Sequence, residues 1–177
     1  MSYQLPLLKD STTMQVVNVA SVPQRSPFRY PGGKTWFIPR IRQWLTTRSD
    51  PPREFIEPFA GGAIVGLTVA FEKLAEHILL AEIDKHVGSV WQLIIEEGEG
   101  EWLAKEIEQF KFSAEDVQHI LSKTHLPLAQ HAFQTIIHNR VSRGGILAKG
   151  AGLVKQGEKG KGLASRWYPQ TLAKRIR

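Results

Sequence analysis

The sequence predicts an α/β fold, and three observations carry the prediction. Glu54 to Phe59 is a short apolar stretch bounded by Pro-Pro before it and Gly-Gly after it, which marks a buried parallel strand. Beyond the glycines, Leu67, Phe71 and Leu74 fall on one helical face. Ile78, Leu79 and Leu80 then read as a second buried strand, ending at Glu82. Strand, glycine turn, helix and acid-ended strand, all within about thirty residues, make a Rossmann-like half.

The other elements follow in chain order. Met1 to Arg25 has mixed polarity and no sustained period, so an arm is expected there. Ile38, Ile41, Trp44 and Leu45 recur at helical spacing, and Pro39 suits a first helical turn, where its missing N–H costs nothing. Past Glu82 come two helical stripes, Val87, Val90, Trp91 and Ile94, then Trp102, Leu103, Ile107 and Phe110. Ser113 with Asp116 has the spacing of a capping box opening a helix through Val117, Ile120 and Leu121. A further helix carries Ala129, Ala132, Phe133, Ile136 and Ile137. No strand signal lies between Lys85 and Arg140, which predicts a helical insertion rather than more sheet. Gly144 to Gly162 holds seven of the fifteen glycines, too many to favour one ordered conformation in isolation. Tyr168 and Pro169 introduce a short basic helix bearing Leu172 and Ile176.

With 177 residues, 42% hydrophobic and 23% charged, the chain can bury a core as one domain. It has no cysteine, which excludes disulfides, thiolate metal sites and a cysteine nucleophile. No apolar run approaches the roughly 18 to 20 residues that span a bilayer, and Met1 to Arg25 lacks the apolar core of a secretory signal. The expectation is a cytoplasmic protein without a membrane partner. Charge is unevenly placed. Asn139 to Arg177 carries ten Lys or Arg against the single acid Glu158, a net of +9, while the rest of the chain sums to −3. Such a segment suits a polyanion, because each neutralised phosphate releases counterions; its plainer reading is a solvated surface loop.

Two glycine-rich elements concentrate the candidate chemistry. In SPFRYPGGK (Ser26 to Lys34), Tyr30 presents a ring edge, Gly32 and Gly33 after Pro31 permit close approach, and Lys34 is placed to meet a carboxylate. A phosphate loop is rejected: its leading glycine would fall at Phe28, and no apolar strand precedes it. In EFIEPFAGG (Glu54 to Gly62), the strand delivers Glu57 at its carboxyl end and Pro58 and Phe59 stiffen the exit. After Ala60, Gly61 and Gly62 let the backbone turn sharply beside a ligand. Glu82 is placed to accept hydrogen bonds from ribose hydroxyls, and Asp84 either touches the ligand or caps the next helix. Together they describe a cradle for an adenosine-bearing cofactor with a lysine-tipped loop folded over it. The plainer readings are a surface turn, an ordinary strand-to-helix turn and a solvated acid. His131 and His138 share a helix face and read as a polar seam rather than a metal site.

FRYPGGK, FIEPFAGG and AEID, followed by a helical insert and NRVSRGG, resemble the Dam-like (D12 class) DNA adenine-N6 methyltransferases from Pro27 onward. The resemblance implies a Rossmann-like SAM-dependent methyltransferase sheet, incomplete here, with a helical DNA-recognition insertion. It implies S-adenosylmethionine (SAM) as cofactor, contacted by Tyr30 and Lys34, cradled by Glu57 to Gly62 and bound at the ribose by Glu82. Double-stranded DNA is the implied partner, met by Asn139, Arg140, Ser142 and Arg143. Lys149, Lys155, Lys159, Lys161 and Arg166 belong to the corresponding basic loop and closing helix. The expected divisions are a flexible arm over 1–25, a SAM-binding part over 26–96 and a helical, basic DNA-recognition region over 97–177.

The family's reaction explains why no cysteine is needed. An exocyclic adenine nitrogen attacks the sulfonium methyl directly, once the base has left the helix at a cost of about a few kcal/mol. Methylation at cytosine carbon needs a thiolate adduct and is excluded. The family's Asp-Pro-Pro-Tyr motif, which binds and stacks the flipped base, does not occur in the sequence. Asp50 to Arg53 (DPPR) is a decoy, because it precedes the first strand and Arg53 offers no aromatic platform. The expectation is an amino-terminal portion that binds cofactor, carries no catalytic residue and does not itself transfer methyl groups. The alternative is a nonenzymatic nucleic-acid-binding protein that retains a methyltransferase-derived fold. An incomplete sheet also predicts self-association through an exposed strand edge.

Overall fold

The computed structural model describes residues 19–148, 150–157 and 160–177. Helix α1 (Ile38–Thr46), with Pro39 in its first turn, leads into strand β1 (Glu54–Pro58). Helix α2 (Ile64–Phe71) then crosses to strand β2 (His77–Ala81). The strands pair in parallel, Glu54 opposite His77 and Pro58 opposite Ala81. The result is a mixed helix and strand structure whose small sheet has two strands among the described residues.

Alternation along β1 buries Phe55 and Glu57 and turns Glu54, Ile56 and Pro58 outward. On β2, Ile78 and Leu80 lie half-buried on the inner face. Helix α2 covers that face. Its Gly66 sits so close that an added Cβ would lie 2.6 Å from Leu80 Cδ2 and 2.9 Å from Glu57 Oε2. The expectation of two buried strands needs correction: α2 covers one face, and the outer face stays open, with Ile56 and Leu79 each 51% exposed.

The face expected for α2 needs correction. Ile64, Val65, Thr68 and Val69 are buried, whereas Phe71 is 68% exposed, with the Arg25 guanidinium 4.6 Å over its ring. The helix reads IVGLTVAF, apolar almost all round, so periodicity cannot select its buried side.

Downstream every described element is helical or irregular apart from one isolated bridge. Helix α3 (Lys85–Trp91) runs through a π turn at Gln92–Glu96 to α4 (Gly100–Gln109). Helix α5 (Ala114–Ser122) opens with the Ser113 side chain accepting from Asp116 N–H, as its spacing predicts. Then come α6 (Leu128–Val141) and α7 (Pro169–Ile176). After α6 the chain doubles back, Arg143 N–H donating to Gly152 O (2.9 Å) and Val154 N–H to Val141 O (2.8 Å).

Core packing ties these pieces together. Ile38, Ile41 and Leu45 of α1 bury against Phe55, Val65 and Val69, and Val22, within the stretch expected as an arm, joins them. A larger cluster joins Phe28, Ala60 and Ala63 to Val87 and Trp91, then to Leu103, Ile136 and Leu172 of α4, α6 and α7. One apolar core therefore draws on both sides of residues 96 and 97. Among the described residues no helix is long and apolar enough to cross a membrane.

Candidate functional site

The carboxyl ends of the two strands and the turn into α2 form the most elaborated part of the surface. Phe59, Gly61 and Ala63 take positive φ values of 56°, 52° and 50°. Left-handed backbone at two non-glycine residues costs of order 1–3 kcal/mol each and concentrates at ligand-binding turns. Phe59 is 80% exposed at this turn.

Glu57 is 4% exposed because strand alternation sends it inward. Its Oε2 accepts from Gly66 N–H at 2.6 Å, so the carboxylate serves the first turn of α2 across the loop. Lys34 Nζ stands 2.8 Å from Oε1, an ion pair outside hydrogen-bond geometry, and donates to Phe59 O at 2.7 Å. The carboxylate that Lys34 meets here is the chain's own.

The loop carrying Lys34 folds over the glycines. Gly33 N–H donates to Tyr30 O (3.1 Å), with Pro31 second and Gly32 third at φ +71°, the residue pattern of a type II turn. Gly32 is thus needed for its φ and not for close approach, since a Cβ there would meet nothing within 4 Å. Close approach belongs to Gly61, where a Cβ would lie 2.8 Å from Tyr30 Cε1, and to Gly62, where it would lie 3.0 Å from Ser26 Oγ. From beneath, Trp91 Nε1–H donates to Gly61 O (2.8 Å) while the indole packs edge-on against Phe28.

Glu82 secures the same hinge. One oxygen accepts from Gly61 N–H (2.6 Å) and the other from Asp84 N–H (2.8 Å). Asp84 caps α3 by accepting from His86 N–H (2.8 Å). Burial, then the Glu82 and Asp84 charges, push the Tyr30 phenol above its ordinary pKa, so it stays neutral at physiological pH. Between loop and turn lies a cleft of ≈ 290 Å³. Tyr30, Gly32, Gly33, Lys34, Phe59, Ala60 and Gly62 line it, with Phe28, Ala63 and others. Pro31, Glu57, Pro58, Gly61, Glu82 and Asp84 are not among its lining residues. The decoy Asp50–Arg53 enters at the amino end of β1, the far end of the strand from this cleft.

The family model for D12 class N6 adenine-specific DNA methyltransferases matches residues 30–135, from Tyr30 at the cleft into α6. The chain belongs to this family. A comparison with curated proteins finds no match.

In this D12 class chain, the residues expected at the duplex divide sharply. Asn139, Arg140 and Ser142 are buried, so they do not present their side chains to a duplex in this structure. The inward half of α6 needs polar groups to satisfy backbone of the Ser26–Arg29 stem, and Asn139 and Arg140 supply them. Burial, with Arg175 and Arg29 nearby, lowers the Arg140 pKa to about 10. Arg143, Lys155 and Lys161 are exposed, and Arg166 is half-buried. Lys149 and Lys159 lie outside the described residues.

Sequence reasoning read Trp91 only as part of a helical stripe and passed over Gly66 and Ile83, the last 89% exposed between Glu82 and Asp84. AEID contained the signal for Ile83: an isoleucine between two acids at a strand's carboxyl end has no core to enter. His131 Nε2 lies 2.9 Å from His86 Nδ1, linking α6 to α3. Among the described residues no group of three or more His, Asp or Glu is placed to hold a metal ion.

Proposed function

We propose that this chain binds SAM between the Tyr30–Lys34 loop and the Phe59–Ala63 turn, as the cofactor-binding part of an enzyme that methylates a flipped adenine at N6. The observation that carries the reading is the latch of Lys34 onto Glu57 and Phe59 O, which folds the loop across the hinge of Gly61 and Gly62. The strand-turn-helix-strand arrangement supports a Rossmann-like half, in which ligands sit outside the carboxyl ends of parallel strands.

The residues present fit that cofactor. An ammonium has three donors, of which Phe59 O takes one while the Glu57 contact is ionic, so donors remain for the cofactor's carboxylate. Each Glu82 oxygen accepts one backbone N–H, leaving lone pairs for ribose hydroxyls. Phe59 and Ile83 offer exposed apolar surface for a purine, with Asp84 beside Ile83. Gly32, Gly33, Ala60 and Gly62 keep the walls low, and Pro31 and Pro58 stiffen them. The cofactor supplies an electrophilic methyl group when bound. The neutral Tyr30 ring shields the hinge from water without offering a competing anion.

Residues 97–177 supply the DNA-facing part of this reading, with exposed Arg143, Lys155 and Lys161 toward duplex phosphates, and Arg166, Lys149 and Lys159 in the same basic segment. Self-association through the open sheet face and a cytoplasmic site of action complete it. Calorimetric titration of SAM is the test. Uptake by wild type that is abolished in Gly61→Val, whose side chain would strike the Tyr30 ring at a positive-φ site, supports the reading. No uptake, together with DNA binding whose log-log salt slope is several units, replaces it with the nonenzymatic nucleic-acid-binding alternative.

A further inference from the structure

Outside the cleft, a buried polar knot joins α6 to the stem of the cofactor loop. Asn139 is 0% exposed, and its amide is engaged at both atoms. Oδ1 accepts from Arg29 N–H (2.9 Å), while Nδ2 donates to Arg29 O (2.9 Å) and to Gly145 O (2.8 Å). Its neighbour Arg140 donates to Pro27 O, and Arg175 of α7 donates to Ser26 O (3.1 Å). Three side chains from the basic carboxyl-terminal part therefore grip three of the four carbonyls just before Tyr30, those of Ser26, Pro27 and Arg29.

Asparagine suits this place chemically. One amide reads the N–H and the C=O of a single residue, as a neighbouring strand would, and its second N–H remains for another carbonyl. That other carbonyl belongs to Gly145, at φ +77°, where an added Cβ would collide with the Arg29 carbonyl. Gly145 follows Arg143 at the head of the glycine-rich basic segment. The knot thus spans the cofactor loop and the start of that segment; Arg29, Asn139 and Gly145 do not line the cleft, whereas Ser26, held by Arg175, does.

We infer that Asn139 is a positioning residue: acting through the Arg29 backbone, it sets Tyr30 and Lys34 over the glycine hinge and ties them to the Gly144–Gly145 turn. The inference rests on the reading of the Tyr30–Lys34 loop as the SAM-binding loop. Apolar replacement would leave Arg29 N–H, Arg29 O and Gly145 O without these partners, which loosens the loop where it joins the core.

The test titrates SAM calorimetrically into the full chain, wild type and Asn139→Ala, at a temperature where circular dichroism shows both folded, and follows amide hydrogen exchange. Asn139→Ala is expected to bind SAM about tenfold more weakly. Amides from Arg29 to Lys34 should exchange faster, while those of α2 stay at wild-type rates. A purely structural role lowers the melting temperature but moves neither affinity nor local exchange in the folded variant; that outcome overturns the inference. If wild type takes up no SAM, the cofactor reading fails, and exchange still decides the tie: unchanged exchange at Arg29 overturns it and faster exchange supports it. Should Asn139→Ala not fold, Asn139→Asp keeps the acceptor for Arg29 N–H, loses both donated bonds and carries the same expectations. In wild type, Arg29 exchanging as fast as an open loop overturns the tie regardless of any variant.

Discussion

Lys34 Nζ stands 2.8 Å from Glu57 Oε1, joining an exposed loop to a carboxylate that strand alternation has buried. Removing one member of a buried pair costs about 3–5 kcal/mol, because the other charge is left uncompensated. The Lys34 side chain is itself 30% exposed, so water replaces part of its role and about 1–3 kcal/mol is expected for Lys34→Met. Glu57→Gln in the same chain removes the stranded charge and keeps an acceptor for Gly66 N–H. Urea denaturation should therefore show the double variant less destabilised than the sum of the single ones. Strict additivity would show that the latch contributes no coupling.

Gly66 reverses the usual expectation for a helix. Alanine normally improves a helix interior by about 1 kcal/mol over glycine. Here the added methyl lies 2.6 Å from Leu80 Cδ2 and 2.9 Å from Glu57 Oε2, so Leu80 and the Glu57 carboxylate that accepts from Gly66 N–H must shift, at a typical overpacking cost of about 1–3 kcal/mol. Gly66→Ala should lower the denaturation midpoint, and Leu80→Ala in the same chain should recover part of the loss. A more stable single variant would contradict this packing.

Stability should fall on mild acidification. Burial, then the neighbouring His86, lower the pKa of both His131 and His138 below the ordinary 6.5. The unfolded chain then binds more protons than the folded one, so stability is complete above about pH 6.5 and declines as pH drops toward the folded-state values. His131→Asn should flatten the change in urea midpoint between pH 7.5 and 5.5. The carboxylates held low by arginine, such as Glu72 against Arg42, act in the same sense at lower pH. A wild-type midpoint flat from pH 7.5 to 5.5 would refute the assignment.

Much of this architecture was legible in the sequence, for physical reasons that also mark where legibility ends. The strands announced themselves because proline and glycine bounded short apolar runs, and α5 because Ser113 and Asp116 have capping-box spacing. The loop over the hinge was readable because YPGG prescribes a turn. The buried side of α2 was not, since an almost uniformly apolar helix has no period to read. Asn139 and Arg140 misled for a different reason. Sequence places them beside a run of cations, yet a buried loop stem needs donors as much as a duplex does, and only tertiary placement distinguishes the two uses.

The open sheet face gives the last prediction. Ile56 and Leu79 are register partners on adjacent strands, so their outward side chains stand side by side as one apolar patch. Parallel strands are normally covered on both faces, and here α2 covers one. Completing the burial of two half-exposed side chains stabilises by about 1 kcal/mol each, and an isologous contact between two copies doubles that. Such a sum gives weak, concentration-dependent association. Sedimentation equilibrium should therefore show wild type self-associating as concentration rises, with Ile56→Lys shifting it toward monomer while leaving the melting temperature nearly unchanged, because the side chain already faces solvent. A wild type that stays monomeric across the range would mean this face is not a contact between copies, and equal association by Ile56→Lys would place that contact elsewhere.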